Sequence, residues 1–124
     1  MTTWNLSGTQ QHVFICNGGS CMKRGGEEVT QAIRDAIREN EADHLIHTTR
    51  TRCNGRCENA CVVMIYPLGV WYKDVTPDLA QQIITQHVRE GQPLQENLLY
   101  TYQNGFVPAQ DVSVGISKKT GKKE

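Results

Sequence analysis

Two stretches of this chain repeat their apolar residues with the period of a helix, and four shorter ones are runs of strand formers. From Gly26 to Glu39, Val29, Ala32, Ile33, Ala36 and Ile37 recur at i, i+3, i+4, i+7 and i+8. That spacing gathers one buried stripe and predicts an amphipathic helix. A second helix is predicted after Thr76-Pro77-Asp78, which supply an N-cap, a proline at the first helical position and an acidic first turn. Leu79, Ala80, Ile83, Ile84, His87 and Val88 form its apolar face, and Gly91 ends it. The runs "HVFIC" (12–16), "HLIHTTR" (44–50), "VVMIY" (62–66) and "VWYKDV" (70–75) read as strands, the last two joined through "PLG" as a hairpin. The order predicts an α+β domain in which two main helices cover one face of a mixed four-stranded sheet. Cysteine-bearing loops after the first and second strands would then meet at one end. Past Tyr102 too few apolar residues fall in register for an element to be placed. Residues 1–9 therefore read as a flexible N-terminus, 10–102 as the folded domain and 103–124 as a loose, Lys-rich C-terminal extension.

A length of 124 residues suits one such domain with a core of its own. The N-terminal residues show no basic segment followed by an apolar stretch, and nothing approaches the roughly 20 apolar residues of a bilayer span. A soluble, cytoplasmic protein with no membrane partner is expected. The charge sums to zero, 13 basic against 13 acidic residues, but Lys118, Lys119, Lys122 and Lys123 all lie in the last seven positions. That tail, "SKKTGKKE", carries no aromatic residue and extends no folded basic surface. It reads as solvated and disordered, with no nucleic-acid role.

The five cysteines change the picture most. In a reducing compartment an odd set clustered at positions 16, 21, 53, 57 and 61 points to metal or redox chemistry rather than a disulfide framework. Four thiolates complete either a [2Fe–2S] cluster or a tetrahedral zinc site. Zinc knuckles usually space their cysteines C-x2-C, whereas this chain offers C-x4-C at Cys16/Cys21 and C-x3-C at Cys53/Cys57 and Cys57/Cys61, so iron–sulfur is favoured. A three-cysteine [4Fe–4S] site would leave Cys16 and Cys21 unused. Cys-Asn-Gly opens both loops, at 16–18 and 53–55. Glycine lets the backbone approach and aim N–H groups at sulfur, which marks Cys53 as a loop ligand. Cys61, followed at once by "VVMIY", suits a small buried side chain at a strand entrance and is the spare.

The stretches "HVFICNGGSCMKRGGEEV", "TRCNGRCENAC" and "VVMIYPLGVWYKDVTPD" resemble the thioredoxin-like, Shethna-type [2Fe–2S] ferredoxins. They are also similar to the small iron–sulfur subunit of NADH dehydrogenase. The resemblance covers about residues 10–102 and implies a thioredoxin-like fold with one cluster per chain. It places the ligands on Cys16, Cys21, Cys53 and Cys57, and puts Cys61 where the family has a proline entering the strand. Cys61 then stands near enough in sequence to act as an alternate ligand. The implied function is one-electron transfer between redox partner proteins by a homodimeric carrier that is not an enzyme. The alternatives are an iron–sulfur redox sensor, or an accessory protein of a biosynthetic pathway such as corrin-ring synthesis. Lys23, Arg24, Arg50, Arg52 and Arg56 flank the proposed ligands and would favour reduction and an acidic docking partner. His44, His47 and His87 read as structural, and Trp71 and Tyr72 as core or interface aromatics.

Overall fold

The computed structural model describes residues 2–118. The lysines Lys119, Lys122 and Lys123 of the expected disordered tail lie outside them.

Both periodic stretches are helices. The stripe of Val29, Ile33, Ala36 and Ile37 in helix α2 (Gly26–Glu39) is buried against the sheet. Helix α3 (Pro77–Gln82) starts where Thr76 Oγ1 accepts the Leu79 amide at 3.2 Å. It continues as a wider π turn over Ile83–Val88, where the Arg89 amide reaches back to the Ile84 carbonyl. The wider winding keeps Ile83, Ile84 and His87 on the buried side. A short helix that the apolar pattern does not announce, α1 (Gly19–Lys23), precedes α2 and carries Cys21.

The strands are β1 (Gln11–Cys16), β2 (Ile46–Thr51), β3 (Val63–Tyr66), β4 (Val70–Tyr72), β5 (Leu98–Tyr102) and β6 (Phe106–Pro108). They form one sheet in the order β2-β1-β3-β4-β5-β6. Only β1 and β2 run parallel, so the sheet is mixed as expected, but it has six strands and not four. β6 lies within the stretch 103–124 that the sequence leaves as a loose extension. All three of its residues are exposed and one is Pro108, tolerated because the strand is at the edge. The available signal is Asn104-Gly105, both at positive φ in the tight turn between β5 and β6.

Alternation in β1 divides the two faces. Val13 and Ile15 are fully buried on the helix side, while His12 and Phe14 sit half-buried on the other. The register Phe14–Met64–Trp71–Tyr100 carries that second face across four strands, and Phe106 packs edge-on against Trp71 and tilted against Tyr100. Under the helices, His87 Nδ1 and Tyr72 Oη share a hydrogen bond at 2.7 Å, and the Leu94 amide donates to the same oxygen at 3.1 Å. His87 is a structural histidine. Burial lowers its pKa and raises that of Tyr72 to about 12, so both are held neutral.

Candidate metal centre

The parallel pair β1/β2 delivers both cysteine-bearing segments to the same end of the sheet. Cys16 is the last residue of β1, with its amide on the Val62 carbonyl at 3.0 Å. Asn17 then turns the chain. Its amide donates to the Thr51 carbonyl, and its Nδ2 donates to the Ile15 carbonyl and to Thr30 Oγ1 of α2. Gly18 caps α1, which brings Cys21 back over the end of β1 as a buried side chain. Between the first two cysteines, then, only Asn17 and Gly18 are loop, and Cys21 itself is helical. Cys53 and Cys57 follow β2 on an exposed segment, with Cys57 opening a 3-10 turn (Cys57–Asn59).

The thiols stand as two close pairs. Cys53 and Cys57 Sγ are 3.5 Å apart, and Cys21 lies beside Cys16, whose thiol donates to the Arg52 carbonyl at 3.6 Å. All four line one small pocket, together with Gly18, Ser20, Asn54, Arg56 and Val62. The two Cys-Asn-Gly motifs act differently. Gly55, at φ +78°, turns its amide onto Cys53 Sγ at 3.3 Å. Gly18 has an ordinary φ of −66°, but a Cβ there would lie 2.7 Å from Cys53 Cα. Only glycine lets the two segments touch. Burial disfavours the Cys16 thiolate, but the Gly18 amide, the Asn54 side chain and backbone, and Cys21 outweigh it and lower the pKa. Burial pushes its partner Cys21 up to about 12.

Cys61 is placed apart. It is buried and does not line the pocket, and its thiol donates to the Cys21 carbonyl at 3.3 Å and the Arg24 carbonyl at 3.4 Å. Burial first, and then the charge on Cys16, raises its pKa. Two of the five basic residues are occupied. Arg50 forms a bidentate pair with Glu27 at 2.5 and 3.0 Å, and Arg56 binds the chain after β6. Sequence spacing gave no sign of either contact, since the partners are 23 and 57 or more residues away. Lys23, Arg24 and Arg52 are exposed and make no ion pair among the described residues.

Residues 3–88 match the family model of the thioredoxin-like [2Fe-2S] ferredoxins. The chain belongs to this family. A putative 2Fe-2S ferredoxin of Priestia megaterium is 53% identical over 121 residues, covering 95% of this chain and 94% of its own. A thioredoxin-like [2Fe-2S] ferredoxin of Aquifex aeolicus superposes with a TM-score of 0.72 at 31% identity, over 77% of this chain and 94% of its own. A subunit of the NADH-quinone oxidoreductase of Rhizobium meliloti is 33% identical over 62% of this chain but only 29% of its own length. The ferredoxin fold is thus thioredoxin-like, its cofactor a [2Fe–2S] cluster and its function electron transfer. The pocket suits that group. Two thiol pairs offer the soft ligands that two irons take in twos, and Gly18 leaves room for the pairs to close on one centre. Among the described residues no helix is long and apolar enough to cross a membrane.

Proposed function

We propose that Cys16, Cys21, Cys53 and Cys57 hold one [2Fe–2S] cluster per chain, and that the protein is a cytoplasmic one-electron carrier between redox proteins rather than an enzyme. The observation that carries the ligand set is that these four thiols line one pocket in two pairs, while the Cys61 thiol is turned onto backbone carbonyls. The bound cluster supplies the electron-accepting orbital. The chain's part is to offer thiolates, aim the Gly18 and Gly55 amides at Cys16 and Cys53, and leave Cys53 and Cys57 at the surface where a partner's centre can approach. The cluster-bearing domain begins near residue 10 and runs past the expected end at 102, because β6 completes its sheet and Val112 packs against its core.

Partners with an acidic face would dock over Lys23, Arg24 and Arg52. A homodimer would use the aromatic sheet face, where Phe106 and Tyr102 are half exposed beside Trp71. Tyr72 is fully buried and takes no part in it. A sensor driven by oxidation of Cys61 is disfavoured, because that thiol is only 1% exposed and already hydrogen-bonded.

Protein purified anaerobically and reduced with dithionite is expected to pass one electron per chain to a protein acceptor and to regain its oxidised spectrum. Uptake of two electrons per chain, or zinc in place of iron, contradicts the reading.

A further inference from the structure

Arg56 stands between the cysteine pocket and the segment that follows β6. On one side it lines the pocket with Cys53 and Cys57. On the other it borders a groove of about 480 Å³ whose far wall is Ser113, Gly115 and Ile116. Its Nη1 donates to the Val114 carbonyl at 3.2 Å, its Nη2 donates to the Ser113 carbonyl, and its Cζ lies 5.3 Å from the centroid of the Tyr100 ring. The segment is itself anchored upstream, where the Ala109 amide donates to the Leu99 carbonyl at 2.9 Å and Val112 packs against the core. One nitrogen of the guanidinium has no partner. Arg56 Nε is buried and, among the described residues, is the one buried side-chain nitrogen or oxygen without a hydrogen-bond partner.

A buried donor on a charged group is costly to leave unpaired, and native structures rarely do so. Carbonyls hold the outer nitrogens on the side of the segment. The acceptors that the pocket's chemistry supplies are the sulfurs of the bound centre. We propose that Arg56 Nε–H donates to a sulfur of the [2Fe–2S] cluster, and that residues 113–114 hold the guanidinium in place to do so. Arg56 is then a positioning residue through which the C-terminal segment sets the reduction potential. Hydrogen bonds to cluster sulfurs and exclusion of solvent are among the levers that set iron–sulfur potentials. A fixed positive group beside a centre that gains negative charge on reduction favours the reduced form. The segment lies beyond the 3–88 match, so this control is additional to what the family region carries.

The inference rests on the cluster lying among Cys16, Cys21, Cys53 and Cys57, and its test is read separately from the cysteine series. Full-length Arg56→Lys, Arg56→Gln and Val112→Asn proteins are prepared anaerobically. Iron and sulfide are counted, the midpoint potential is titrated by EPR, and cleavage within residues 109–116 is followed with a nonspecific protease. Arg56→Gln is expected to keep two irons and become harder to reduce by on the order of tenfold in equilibrium constant, which is about 59 mV for one electron. Arg56→Lys, which keeps the charge and loses the Nε–H, shifts the same way by less. Val112→Asn loosens the segment, speeds its cleavage and also lowers the potential, although Arg56 is intact. If Arg56→Gln does not hold a cluster, the other two titrations decide. Faster cleavage with an unmoved potential means that Arg56 only anchors the segment, and overturns the proposal.

Discussion

Replacing Gly18 by alanine is expected to loosen the cluster without unfolding the protein. The backbone at Gly18, φ −66° and ψ 172°, is open to any L-residue, so the substitution carries no conformational strain. Its cost is contact. The new Cβ would lie 2.7 Å from Cys53 Cα, 2.8 Å from Cys53 Cβ and 2.9 Å from Cys53 N. These are atoms of backbone and ligand, with no flexible side-chain tip to swing aside. To restore ordinary contact the segment bearing Cys53 must retreat by about 0.7 Å, whereas metal–ligand distances tolerate only about ±0.2 Å. Overpacking of this kind costs about 1–3 kcal/mol. The segment relaxes once the cluster leaves, so most of that strain is specific to the loaded protein. It then appears as a roughly 5- to 150-fold weaker hold on the cluster. The assay is the anaerobic bleaching rate of the visible spectrum in excess chelator, with iron and sulfide counted at the start. Gly19→Ala is the control, because a Cβ at the next residue meets nothing within 4 Å. Equal bleaching rates for Gly18→Ala and the parent refute the reasoning.

The remaining predictions concern the core and the surface. Tyr72→Phe strands the Leu94 amide and His87 Nδ1 and should destabilise the fold by about 1–3 kcal/mol in anaerobic denaturant melts, and a loss below about 0.5 kcal/mol would mean that water replaces the hydroxyl. Because burial lowers the His87 pKa, its contribution is fully present above the unfolded value of 6.5 and is lost as pH falls from there toward the folded value, by at most about 1.4 kcal/mol per pH unit. Thermal midpoints between pH 7.5 and 5.5 should therefore fall less steeply in His87→Gln than in the parent, and parallel curves contradict this. Electron transfer to an acidic partner should slow as salt shortens the Debye length from about 10 Å at 0.1 M to about 3 Å at 1 M. Arg52→Glu should slow it at low salt only, and rates indifferent to both changes remove any docking role from Lys23, Arg24 and Arg52.

What the sequence made legible was local. Val29 to Ile37 and Leu79 to Val88 announce helices because their periodicity is carried by neighbours one turn apart. Thr76-Pro77 fixes a helix start for the same reason. β5 and β6 escaped because a two-stranded edge with an exposed outer strand needs no apolar alternation, and only Asn104-Gly105 betrays it. In the site, the doubled Cys-Asn-Gly drew attention to both segments, but it could not show that one glycine serves by positive φ and the other by absence of a Cβ. The second role depends on where Cys53 lies, 35 positions along the chain. The five basic residues looked alike in sequence. Arg50 and Arg56 prove to be held by Glu27 and by the chain after β6, contacts that sequence distance conceals.

The claim on which all of this turns is the choice of four thiols from five. It is tested most directly by the EPR spectrum of dithionite-reduced protein in two variants, Cys57→Ser and Cys61→Ser, purified anaerobically side by side. Serine offers a harder, less acidic ligand than a thiolate, so replacing a true ligand alters or removes the signal, whereas at Cys61 it only exchanges one small buried side chain for another. The account predicts the parental S = 1/2 signal in Cys61→Ser and a lost or shifted one in Cys57→Ser. It further predicts that any residual signal in Cys57→Ser disappears in the double variant, since Cys61 would then have been its source. A parental signal in Cys57→Ser together with a lost one in Cys61→Ser would contradict it.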